Sequence, residues 1–437
     1  MNILNPRRNH RGDGDGIFRM EFPLMQWLVA LQYKGFGNHL IITRLFMLLI
    51  GLFSIAGIYK ILEVLFNKTI LSLIGAWAFS FSPSFYYYTI NPLPDNLALC
   101  CSIWGLVFFF SWFKKKKLWH LFTGGFLLAI GTLCKLPFVI YYAVPFTFFL
   151  LEFFRSSVKV KSLSNGSIFF FPIVFPALWY LNVIPQWHGN GIVSGILNNQ
   201  VSVRTILDYL NHNLVSTLPE LLLNYGSVIF FIAGFYFLIK NKAFKDKRFI
   251  LIFVWSLAVL FYFFFEINMI GKVHDYYLFP FLPILFILVG YGAYNMLQLD
   301  KKIYTYVVYI LLIILPFTCY LRMAGRWDTN NPGFNKDLLV FKEELRNAVP
   351  SESLVVAGND ESYYIFFYYI DKKGWGFSHN SLSREKLESM ILKGAEYIYS
   401  DSRVIDENYE IAPLLGELIL EKGSIKVYRL KSPSLIY

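Results

Sequence analysis

Charge is scarce in this 437-residue chain: Asp, Glu, Lys and Arg make up only 16% of it, against 56% hydrophobic residues. A soluble globule of this size carries much more charge, so a water-exposed surface all round is excluded. Cysteine is scarcer still. Cys100, Cys101, Cys134 and Cys319 fall in or at the edge of apolar runs, with neither metal-ligand spacing nor a readable disulfide framework. A cleavable signal peptide is not visible either, because the first 16 residues are polar and rich in Arg, Gly and Asp. No internal repeat is apparent.

What is present is apolar and aromatic, with 45 Phe and 29 Tyr. Between residues 41 and 321 there are about ten apolar runs of roughly 20 residues, the length a helix needs to cross a bilayer. The predicted fold class is therefore an α-helical polytopic membrane protein, with membrane lipid as its first partner. A net charge of +11 in a soluble chain would suggest nucleic acid. Here the basic residues sit in short loops between apolar runs, so they set orientation and no nucleic-acid partner is expected.

Sorting the loops predicts sidedness. Lys60 and Lys68, Lys114 to Lys117, Arg155 with Lys159 and Lys161, Lys240 to Arg248, and Lys301 with Lys302 occupy every second loop. These belong inside. The N-terminal loop, NPLPDN at 91–96, CKLP at 134–137, the 185–218 segment and GKVHDYY at 271–277 then lie outside. The stretch PLMQWLVALQYKGFG is too short to span and reads as an interfacial or re-entrant helix. One conflict remains: Arg7, Arg8 and Arg11 would sit outside with no helix to carry them across. The expectation is a transmembrane helix upstream of Met1 in the full-length protein.

After residue 321 the composition changes. NKDLLVFKEELRNAV, ESYYIFFYYID and SREKLESMILKG read as helices, LVVAGN and EYIYSD as strands, and LILEKGSIKVYRL as a hairpin around Lys-Gly. This gives two domains, a transmembrane domain over 1–326 and an extracytoplasmic α/β domain over 327–437. The second lacks a Gly-rich phosphate fingerprint and is expected to act as a cap or acceptor-side lid.

The polar residues that could carry chemistry all fall in the outer loops. Each has a bland reading beside the chemical one. Asp95 follows Pro92 and Pro94 and suits a helix cap as well as a site. Lys135, just before Pro137, could snorkel to lipid headgroups or bind phosphate. Glu21 in RMEFPL is a cap or a site carboxylate, Asp13 and Asp15 sit in a Gly-rich turn, and His188 lies in a surface-like loop. In GKVHDYYLFPFLPILF, the cluster Lys272, His274, Asp275, Tyr276 and Tyr277 is either an interfacial tyrosine belt or the wall of a wet cleft. Carboxylates beside cations at headgroup depth suit glycosyl transfer from a lipid-linked phosphosugar. A carboxylate takes the acceptor proton, and cations stabilise the departing phosphate. No strong metal spacing is present, which leaves a divalent ion open as cofactor.

GKVHDYYLFPFLPILF resembles the His-x-Tyr-Tyr-x-x-x-x-Leu-Pro segment of the GT-C membrane glycosyltransferases, in the family-39-like branch related to protein O-mannosyltransferases (dolichyl-phosphate-mannose dependent) and the lipid A aminoarabinose transferase. MEFPLMQWLVALQYKGFG, NPLPDNLAL and GTLCKLPFVIYYAVP are similar to three further segments of that family, in the same order along residues 17–290. The resemblance implies inverting transfer of a sugar from a polyprenyl-phosphate donor to a protein, lipid or glycan acceptor, at the outer face of a bacterial cytoplasmic membrane. It implies Asp95 as a second carboxylate of the site, with Lys135, Lys272 and His274 on the lipid phosphate; taken with the outer-loop reading, the expected catalytic carboxylates are Asp95, Glu21 and Asp15. Arg19, Lys135, Lys272, His274, Asp275, Tyr276 and Tyr277 would bind substrate. Because the family's acidic pair usually lies upstream of where this chain starts, a truncated, inactive homologue is one alternative. A lipid-linked sugar flippase is another.

Overall fold

The computed structural model describes residues 3–12, 16–37, 39–155, 159–187, 195, 201–242, 246–267, 269–270, 275–328, 330 and 332–432. They form two compact units, one of Met20–Arg326 and one of Leu4–Arg19 with Trp327–Tyr437.

The first unit is helical. Among the described residues, seven helices are long and apolar enough to cross a membrane, and an eighth counts if the bent pair Val203–Leu222 and Gly226–Lys240 is one span. Two further apolar helices, α3 (Thr69–Ser80) and α6 (Leu118–Cys134), are shorter. The expected ten or so runs are thus all helical, but proline shortens or bends several of them. Pro83 opens a separate helix, α4 (Pro83–Tyr88), after α3 has ended. Pro219 lies inside a π-helical stretch, Asn213–Leu222, and left-handed Asn224 follows. Together these account for the 110° bend before Gly226.

Asp275–Leu297 is the most buried of the spans, with 78% of its apolar window inside the unit. Backbone packs directly on backbone there. A Cβ on Gly292 would lie 1.9 Å from the Phe230 carbonyl oxygen, so only glycine lets helix Gly226–Lys240 approach this closely. The short amphiphilic helix α1 (Leu24–Phe36) buries Met25 against Met47 and Ile50 of α2 (Leu40–Phe66) and Cys100 of α5 (Pro94–Lys115).

The second unit holds a five-stranded sheet in the order β2-β1-β3-β5-β4. β1 (Leu354–Gly358), β2 (Lys373–Gly376) and β3 (Ala395–Ser400) are parallel, and β4 (Leu415–Lys422) with β5 (Ile425–Leu430) closes it as an antiparallel hairpin through left-handed Gly423. Apolar clusters cover both faces, one around Phe366, Phe367 and Tyr399, the other around Trp375, Leu387 and Ile398. The N-terminal segment lies along the open edge of β2. Gly374 donates its N–H to Asn9, Arg11 donates to Gly374, and the Trp375 indole donates to Gly12 at 2.8 Å. An edge that would otherwise offer unpaired backbone groups is partly covered.

Candidate functional site

Three chain segments converge on one ammonium. Lys135 sits where α6 has ended and a 3-10 turn, Leu136–Tyr142, begins. Its own backbone is extended, which aims the side chain back toward the start of α5 rather than along α6. Gly131 makes this possible. A Cβ there would meet Ser102 Oγ at 2.5 Å and the Ala98 carbonyl at 3.0 Å, so glycine allows α6 to close on the first turns of α5. Asp95 lies in that first turn, after Pro94 at the first helical position. Leu93, not Asp95, takes the cap position, so the capping reading of Asp95 does not hold.

Glu21 arrives from the loop before α1. Phe22 donates its N–H to Leu133 near the end of α6, and the Trp179 indole donates to the Met20 carbonyl at 3.1 Å. The Lys135 Nζ then donates to Glu21 Oε1 at 2.7 Å and lies 3.8 Å from Asp95 Oδ2. It also stands 4.9 Å from the centre of the Tyr277 ring, within cation–π range. This lysine is buried, which rules out snorkelling. Burial opposes its charge, yet Asp95 and Glu21 outweigh that and raise its pKa above the usual lysine value. Glu266, just past the helix Lys247–Phe265, is a further buried carboxylate nearby. Burial pushes its pKa up to about 7, against the pull of Lys135.

A second polar cluster stands on the same 3-10 turn as Tyr277, the segment Asp275–Phe281. Asp275 accepts hydrogen bonds from Tyr88 Oη at 2.5 Å and Arg326 Nη2 at 2.6 Å. The Arg326 guanidinium lies over the Tyr87 ring, and Arg322 pairs with Glu220. These groups line an open cavity of about 450 Å³ together with His212 and Ser216. Tyr276 packs edge-on against Tyr88, with ring centres 5.3 Å apart.

Of the residues singled out in the sequence, the structure brings together Glu21, Asp95, Lys135 and Tyr277, and places Asp275 and Tyr276 in the second cluster. Arg19 groups with the second unit, where it bonds Asn5. Asp15, Lys272 and His274 lie outside the described residues, as do Asp13 and His188. Arg322, Arg326, Glu220 and Tyr88 were missed. A signal for the two arginines existed, since they sit at the end of Lys302–Ala324 far from Lys301 and break the charge asymmetry of the other loops. Among the described residues no group of three or more His, Cys, Asp or Glu could hold a metal ion.

Residues 21–180, which include Glu21, Asp95 and Lys135, match the family model of dolichyl-phosphate-mannose-protein mannosyltransferase. The structure is similar to that of ArnT from Cupriavidus metallidurans in the apo state, with TM-score 0.64 and 13% identity over 98% of this chain and 90% of that one. The chain has the GT-C glycosyltransferase fold. The same ArnT bound to undecaprenyl phosphate is similar with TM-score 0.58 and 13% identity, over 93% of this chain and 87% of that one. The archaeal oligosaccharyltransferase AglB from Archaeoglobus fulgidus, in complex with an inhibitory peptide and a dolichol-phosphate, gives TM-score 0.56 and 10% identity, over 93% and 64%. No curated protein matches the sequence. With this fold and its apolar helices the chain is a multi-pass membrane protein, and ArnT and AglB were solved with undecaprenyl phosphate and a dolichol-phosphate bound.

Proposed function

We propose that this GT-C chain transfers a sugar from a polyprenyl-phosphate donor to a hydroxyl-bearing protein, lipid or glycan. The site would face the outside of a bacterial cytoplasmic membrane, and residues 327–437 would lie on that same side. The observation that carries the reading is Lys135, a buried ammonium shared by two carboxylates. One cation between two carboxylates leaves the cluster net negative, so an incoming anion gains Lys135 only by taking the place of the more exposed Glu21. The donor phosphate is such an anion, and its charge grows as the glycosyl bond breaks.

The side chain of Glu21 is 23% exposed and that of Asp95 only 3%. Glu21 is therefore the carboxylate an acceptor can reach, and Asp95 is the one that keeps Lys135 in place. When phosphate takes Lys135, Glu21 is released. It then accepts the acceptor proton while the acceptor oxygen bonds to the anomeric carbon and the phosphate leaves with the electron pair of the old bond. Tyr276 and Asp275 wall the donor side, and Lys272 and His274 keep their expected roles as phosphate and donor contacts.

The test is transfer in proteoliposomes from a polyprenyl-phosphate-linked sugar, comparing the native chain with Lys135→Ala and Glu21→Gln. Transfer by the native chain and its loss in both variants supports the reading. Donor binding without transfer in the native chain would favour the inactive homologue. Translocation of the lipid-linked sugar, with no transfer, would favour the flippase.

A further inference from the structure

The other end of the membrane unit has a feature that glycosyl transfer does not use. Where α2, α5 and the helix Ala143–Arg155 end and Lys247–Phe265 begins, a cavity of about 210 Å³ opens between the helices. Its floor is apolar and buried, formed by Phe110, Phe148 and Leu251. Its rim carries Lys114, Arg155 and Arg248, with Glu152 as the one acid among the described residues. A second cavity of about 350 Å³ shares Phe148 and Glu152 and adds Lys116 and Lys161. Arg248 is already tied to Asp246 and donates to the Leu65 carbonyl at 2.5 Å, and Lys116 lies over the Trp112 ring, which leaves Lys114, Arg155 and Lys161 with Glu152 around the two cavities.

Lysine and arginine in a last helical turn favour the helix dipole, and Lys114 and Arg155 occupy such positions. Dipole complementation, however, accounts for neither an aromatic-floored cavity beneath them nor cations on the flanking helix at Lys161. An apolar floor under a rim with surplus positive charge matches an amphiphile with an anionic head. A soluble anion would leave the apolar floor empty. The bilayer itself supplies the amphiphile, and basic pockets between helix ends are the usual form of anionic headgroup sites.

We infer that the lysine-rich end of the membrane unit holds an anionic phospholipid, with its phosphate on Lys114 and Arg155 and its acyl region on Phe110 and Phe148. Native mass spectrometry of the full chain in mild detergent tests this, titrating phosphatidylglycerol against phosphatidylcholine of the same acyl chains. Phosphatidylglycerol is expected to bind with one-to-one stoichiometry and phosphatidylcholine on the order of tenfold more weakly. The double change Lys114→Ala/Arg155→Ala should erase the preference. Lys68→Ala/Lys117→Ala removes the same charge outside both cavities and should preserve it. Equal binding of the two lipids by the native chain, or equal loss in the two double variants, would overturn the site in favour of diffuse surface charge. Full displacement of the lipid by inorganic phosphate would overturn it in favour of a free-anion site. The lipid comparison and the phosphate competition need no variant and remain decisive if a variant does not fold.

Discussion

The two polar clusters on either side of the turn Asp275–Phe281 use the same chemistry to opposite ends. Around Arg326 and Arg322 each cation has its own carboxylate, Asp275 and Glu220, and the pairs border an open cavity. Around Lys135 two carboxylates share one ammonium, with Lys135 and Asp95 buried and Glu21 partly exposed. Matched pairs beside water are near electrostatic balance and contribute modestly to stability. An unmatched cluster with buried charges is a poor stabilising device, because burial penalises the charges of Lys135 and Asp95. The difference separates a cluster that shapes a cavity from one that, on the proposed reading, exchanges a partner.

The strongest way to break this contrast is Lys135→Ala. It leaves the buried Asp95 unpaired, and breaking a buried pair typically costs about 3–5 kcal/mol. A large drop in the thermal midpoint in detergent is expected, with transfer falling by on the order of 10²–10³-fold as the phosphate loses its cation. If Lys135→Ala unfolds the chain, Lys135→Arg keeps the charge and still tests placement. Asp95→Asn is next. It should cost little stability, since Glu21 still pairs with Lys135, but transfer should drop as the lysine loses its second anchor. The expected size is about 10–100-fold, read in the same proteoliposomes. Arg326→Ala should cost less, about 1–2 kcal/mol, because Asp275 keeps its bond from Tyr88 and borders the cavity. Equal losses in Arg326→Ala and Lys135→Ala would erase the distinction between the clusters.

How far the sequence could reach depended on how local each signal was. Asp95, Glu21 and Lys135 were legible because each adjoins a proline and an apolar run, so their places at helix ends follow from short-range rules. That Lys135 meets both carboxylates was not legible, because it depends on Gly131 letting α6 press against Ala98 and Ser102. In the second unit, LVVAGN and EYIYSD became β1 and β3 and the Lys-Gly turn became the β4–β5 hairpin. β2, with sequence KGWG, was missed, since two glycines in four residues hide a strand whose register comes from its neighbour β1. The predicted helix NKDLLVFKEELRNAV is two short helices, Asp337–Val340 and Lys342–Asn347, parted at Phe341. The pairing of Leu4–Arg19 with the second unit had no periodic signal at all, because it rests on isolated contacts far apart in sequence, the backbone bonds to Gly374 and the Trp375 indole bond to Gly12 among them.

The smallest expected effect sharpens the comparison from the side of pH. Burial raises the pKa of Glu266 to about 7, and Lys135 pulls against that shift. The folded chain therefore binds this proton more tightly than the unfolded one. Between the ordinary carboxylate range and about pH 7 the folded state holds more protons, so stability falls as pH rises through that window and levels off above it. Glu266→Gln keeps the neutral shape and should reduce this slope, seen as a thermal midpoint that varies less with pH from about 5 to 7 than in the native chain. Near neutral pH a newly ionised Glu266 adds a third carboxylate to the surroundings of Lys135, which strengthens the hold on the lysine that a donor phosphate must overcome. Donor affinity should accordingly weaken above about pH 7 in the native chain and stay level in Glu266→Gln, while Arg326→Ala, acting on the matched cluster, leaves the native pH profile in place. A pH profile unchanged by Glu266→Gln would place this carboxylate outside the electrostatic reach of Lys135.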